Sequence, residues 1–115
     1  MDEPEKAKNI LTETQNNILN LMDVVLGLRS NLKFFQQVRK GNPAMEAAFR
    51  ANVDCHNFAM RVIFSLKKSM TEAEYDFLLL NDPIFSKFHE VYLKGDSFEL
   101  TVEPISQIFL PGDPG

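Results

Sequence analysis

The chain has no tryptophan, one cysteine, two histidines and five glycines among its 115 residues. Each shortage excludes something. A single cysteine, Cys55, rules out an internal disulfide framework and fits a reducing compartment. The histidines, His56 and His89, are remote from one another, and no HxxxH, CxxC or ExxH spacing accompanies them. A zinc site needs four converging N, S or O ligands, and Cys55 and His56, as neighbours on a helix, point about 100° apart. Isolated glycines mean no P-loop, no GxGxxG turn and no GxSxG elbow, and no EF-hand run occurs.

Long uncharged runs are missing too. The most apolar stretch, residues 18–35, is interrupted by Asp23, Arg29 and Lys33, each costing about 2.5–3.5 kcal/mol near a bilayer centre. No membrane span is expected. The start, MDEPEKAKN, lacks the basic and apolar regions of a signal peptide. The expectation is an intracellular protein, cytoplasmic or nuclear.

Charge is unevenly spread around a net of −4. Residues 1–28 carry −3, residues 29–68 carry +6 and residues 69–115 carry −7. A nucleic-acid module would be basic overall with Lys and Arg on one face. Here a basic middle lies between acidic ends that can neutralise it within the fold, and Arg39, Lys40, Lys67 and Lys68 fall where helix C-termini favour cations. No nucleic-acid partner is expected.

What is present is helical periodicity. Leu11, Thr14, Ile18, Leu21, Val25, Leu28, Leu32, Phe35 and Arg39 form an a/d seam. Gly27, Ser30 and Asn31 are weak helix formers and Ser30 offers a second cap, yet the seam keeps its phase through them. The reading is one helix over about 4–40, with residues 27–31 as its point of bending. Gly41-Asn42-Pro43 is a stop, a cap and a restart. The next helix, 43–70, has its seam at Met45, Ala48, Asn52, Cys55, Ala59, Val62 and Leu66, which makes Cys55 a small apolar residue of the seam. So short a connection makes the two antiparallel neighbours.

Thr71-Glu72-Ala73-Glu74 is a capping box for a helix over about 71–80, and Asp82-Pro83 opens another over about 83–94. Phe98, Leu100 and Val102 then alternate with Glu99, Thr101 and Glu103, as in an extended segment. With no second strand to pair with, that segment should lie in a groove of its own bundle, drawn by Asp96, Glu99 and Glu103 to the basic middle, or enter a partner. The expected fold is all-α: a long antiparallel hairpin, two shorter helices and an extended C-terminal segment. Residues 1–95 form the bundle domain and residues 96–115 pack on it or on a partner.

No catalytic residue, cofactor site or metal site emerges from these patterns. Acids crowd a helix start at Glu72, Glu74 and Asp76 without an apolar cleft around them. The informative feature is an apolar surplus beyond the seams: Leu19, Leu26 and Phe34 on the first helix, Val53, Met60 and Phe64 on the second, and Phe98, Leu100 and Val102 in the tail. Part of it should be covered by the shorter helices. The rest points to a non-enzymatic protein–protein interaction module, a subunit or adaptor in a larger helical assembly whose partner is another protein or a second copy. The alternative is a helical bundle that encloses an apolar small molecule.

Overall fold

The computed structural model describes residues 10–102. It holds four helices: α1 (Glu13–Val38), α2 (Pro43–Ser69), α3 (Glu72–Asn81) and α4 (Pro83–Tyr92). α1 and α2 form the antiparallel hairpin, α3 and α4 pack on it, and residues 97–101 follow as irregular extended chain. No helix among the described residues is long and apolar enough to cross a membrane.

Local chemistry sets each boundary. The Thr12 hydroxyl accepts the Gln15 N–H at 3.1 Å while Gln15 Oε1 accepts the Thr12 N–H at 2.8 Å, a reciprocal capping box. Residues 10–12 are therefore outside the helix, which starts later than the position near Pro4 that the periodicity suggested; residues 4–9 lie outside the described part. α1 runs unbroken through Gly27, Ser30 and Asn31. Gly41 takes φ +75°, a left-handed conformation that closes the turn, and Asn42 accepts the Met45 N–H at 3.2 Å ahead of Pro43. Thr71 and Glu74 repeat the reciprocal box on α3. Asp82 serves two helices: its N–H closes α3 onto the Leu78 carbonyl, and its carboxylate accepts the Phe85 N–H at 2.9 Å to open α4. Gln15 Nε2 donates to the Glu74 carbonyl at 3.0 Å, tying the start of α1 to that of α3.

The buried sectors differ from the expected seams by one residue. On α1 they are Gln15, Ile18, Met22, Val25, Arg29 and Leu32. Ile18, Val25 and Leu32 belong to the expected seam, but Met22 and Arg29 replace Leu21 and Leu28. On α2, Ala59 of the expected seam is buried, but Phe49, Val53, His56, Met60 and Ile63 are buried in place of Ala48, Asn52, Cys55 and Val62, and Cys55 is exposed. A step of one residue turns a helix by about 100°. The cause is that a seam read in heptads assumes two helices facing only each other. Here α3, α4 and the tail pack on one side, and both helices turn the buried sectors just named toward that side.

The main core joins Ile18, Met22 and Val25 of α1 with Met60, Ile63 and Phe64 of α2 and with Leu78, Phe85, Phe88, Tyr92 and Leu93. Complete burial of Phe49, Phe85 and Phe88 is worth roughly 1.5–3 kcal/mol each in area removed from water. A smaller cluster of Leu32, Phe49 and Val53 lies toward the hairpin turn, with Phe35 of α1 and Leu100 and Val102 of the tail packed against it.

Candidate protein-interaction surface

Two regions of the hairpin lie outside the helix-on-helix core. The first is the groove that holds the tail. After Leu93 the chain bends over residues 93–96 and runs back along α2. The Lys67 ammonium donates to the carbonyls of Leu93 and, at 3.1 Å, Gly95, gathering the end of α4. Phe98 then sits edge-on to Tyr92 at 5.1 Å between ring centroids and tilts over His56 at 6.4 Å. Glu99 pairs with Arg61 at 2.8 Å. The Asn57 side chain grips the next residue at both ends: Nδ2 donates to the Leu100 carbonyl at 2.8 Å and Oδ1 accepts the Leu100 N–H at 2.8 Å. A side-chain amide thus does what a strand edge would do, for a single residue.

Beneath this contact is a polar chain. Arg29 Nη1 lies 3.2 Å from His56 Nε2, and His56 Nδ1 lies 3.1 Å from Asn57 Oδ1. The neutral tautomer with its proton on Nδ1 satisfies both contacts, accepting from Arg29 and donating to Asn57. Burial, with a smaller push from the Arg29 charge, holds the His56 imidazole far below its ordinary pKa, at about 4, against the opposing hydrogen bond from Asn57. The guanidinium carbon of Arg29 lies 4.6 Å from the centre of the Tyr92 ring and 5.9 Å from that of Phe98. Three elements and the tail therefore meet at one buried cation.

The second region is the back of the hairpin. On α1, Asn20, Val24, Leu28, Asn31, Phe35 and Val38 recur at helical spacing about 130° from the buried sector. On α2, Ala44, Ala47, Ala51, Cys55, Phe58 and Val62 do the same. Most residues of both stripes are exposed, but Leu28, Phe35 and Val62 are half-buried, and Phe35 packs on the Leu32–Phe49–Val53 cluster. Neither stripe carries a charge, in a chain that is 24% charged. Val24 is 51% exposed and Phe58 65%.

The nine surplus residues do not form one exposed patch: Leu19, Leu26, Met60, Phe64 and Phe98 gather in or against the main core, Val53, Leu100 and Val102 in or against the smaller cluster, and Phe34 stands apart. Val53, Met60 and Phe64 belong to the core, so a partner cannot reach them without unfolding the hairpin. Leu19 and Leu26 are half-buried against the main cluster, the flank that the shorter helices cover. Phe34 is exposed. Phe98, Leu100 and Val102 are half-buried on the bundle itself, as the groove expectation required; Glu103 lies outside the described residues. Of the residues on the back, the periodicity assigns Leu28, Phe35, Cys55 and Val62 to seams and leaves Val24 and Val38 as flanking apolar surplus. The signal for the back was there in the uncharged row of small residues on α2.

Elsewhere, the Tyr75 hydroxyl lies 2.8 Å from His89 Nδ1 between α3 and α4, where burial pushes the phenol up to about 12 and pulls the imidazole down. No group of His, Cys, Asp and Glu among the described residues is arranged to hold a metal ion. No family model, curated protein sequence or solved structure matches the chain significantly.

Proposed function

We propose that this protein is a non-enzymatic protein–protein interaction module that joins a larger helical assembly through the back of its α1–α2 hairpin. The observation that carries the reading is an uncharged, partly apolar surface made by both long helices, with Val24 and Phe58 more than half exposed. Contiguous apolar surface of this kind marks interaction sites on otherwise well-packed domains. The small residues Ala44, Ala47 and Ala51 let a facing helix approach α2 closely, and Val24, Val38 and Phe58 supply the apolar contacts around them. The occupant is a helix of another protein or the same face of a second copy.

The test is a V24E/F58E double variant. Both positions are exposed, so its thermal melt should match the wild type. Light scattering after size exclusion, and capture of partners from the native cell, should show the loss of a complex that the wild type forms. A wild type that is monomeric and captures nothing, or a variant that keeps the complex, rejects the reading.

A further inference from the structure

We propose that the groove marked by Asn57 is a recognition site for an extended peptide of alternating apolar and other residues with an acid at the second position, and that residues 98–102 are its occupant in cis. This site uses other residues than the back of the hairpin and does not rest on the function proposed for it.

The chemistry of recognition is already laid out in the bound segment. Phe98, Leu100 and Val102 face the bundle while Glu99 and Thr101 face out, the alternation of an extended chain. Asn57 grips the backbone N–H and carbonyl of Leu100, which any residue but proline supplies at that position. That contact fixes register without reading sequence. Selectivity comes from the ring of Phe98 between His56 and Tyr92, and from Arg61 on Glu99. Asn57 is itself oriented by His56, whose ring holds the same Oδ1.

The segment is also attached as a replaceable element would be. It forms neither helix nor strand, and its apolar side chains are only half-buried, unlike Phe49 or Ile63. Its ion pair is exposed on both sides, with Arg61 58% and Glu99 44% accessible. A bend containing Gly95 precedes it, and an open hollow of about 270 Å³ lies beside residues 96–99 against Arg61, Phe64 and Lys68. A peptide with the same pattern can therefore exchange for the tail while the core of α1–α4 stays packed.

Two measurements on the full chain test this. In native-state hydrogen exchange, the Leu100 N–H should exchange at least about 100-fold faster than the Ile63 N–H, because it opens without global unfolding; equal rates for the two would overturn the proposal. In fluorescence anisotropy with a labelled synthetic peptide, GDSFELTV, an F98S/L100S variant should bind at least about 10-fold more tightly than the wild type, whose own tail competes. Adding N57A should weaken that binding by about 10-fold. Absence of binding to a folded F98S/L100S variant, or binding indifferent to N57A, rejects the site. Loss of a cooperative melt in F98S/L100S also rejects it, since the tail would then be part of the core.

Discussion

His56 Nε2 sits 3.2 Å from a guanidinium nitrogen of Arg29, a neutral imidazole accepting from a buried cation. A proton on that imidazole would set two positive charges side by side in the interior and remove the acceptor. Burial of the ring is the larger cause and the Arg29 charge the smaller, so the native state resists protonation and keeps the pKa near 4, against about 6.5 in the unfolded chain.

The consequence is a dependence of stability on pH with a definite sign. Between pH 6.5 and pH 4 the unfolded chain binds a proton that the folded chain refuses. The contribution is thus complete above pH 6.5 and is lost as pH falls toward 4, on the order of 3 kcal/mol across the window. Denaturant melts of the wild type and of His56→Asn should diverge in slope against pH over this range. Parallel profiles would mean that His56 titrates normally.

Burial separates residues that look alike in the sequence. Phe85 is fully buried between the hairpin and α3, whereas Phe34 is 54% exposed. Phe85→Ala should cost about 3–5 kcal/mol and Phe34→Ala less than about 0.5 kcal/mol. Chemical denaturation of the two variants checks this, and similar midpoints would place α4 wrongly on the hairpin.

These contrasts mark what could be read from the residues alone. Stops and starts were legible because their chemistry is local: Gly41-Asn42-Pro43, Thr71-x-x-Glu74 and Asp82-Pro83 each satisfy a helix end with a side chain a few residues away. The grooved tail was legible from alternation and from its acids facing the basic middle, and the Arg61–Glu99 pair answers to that charge pattern. The phase of the long helices was not. Leu28 and Arg29 differ by one step, and apolarity favours burying the leucine. Tertiary partners, His56, Tyr92 and Phe98 among them, make the arginine the better interior residue. Once that phase is misread, Leu28, Phe35, Cys55 and Val62 are taken for seam residues, and the rest of the back no longer reads as one surface.

Two glycines should respond oppositely to the same change. Gly27 lies inside α1 with open space where a Cβ would stand, so Gly27→Ala should stabilise by up to about 1 kcal/mol. Gly41 has equal room but φ +75°, and Gly41→Ala should destabilise by roughly 1 kcal/mol because a side chain disfavours that backbone. Thermal melts of the pair decide it. A shift of the same sign in both would put the hairpin turn elsewhere.

Cys55 reports on the phase of α2 directly. If α2 presented Ala48, Cys55 and Val62 to α1, the thiol would be buried in the seam, reacting slowly in native buffer and quickly in denaturant. The structure instead turns His56 inward and leaves Cys55 exposed on the back, between Ala51 and Phe58. A thiol reagent should therefore label it in native buffer at a rate close to that in denaturant. A bulky maleimide at the same atom should leave the thermal melt unchanged, because the label projects into solvent. It should nevertheless block a partner that uses the back of the hairpin, since it stands between the alanine row and Phe58, where a facing helix must come close. Slow native labelling would overturn the observed phase of α2. Fast labelling with undiminished partner binding would leave the fold intact and move the interface away from this face.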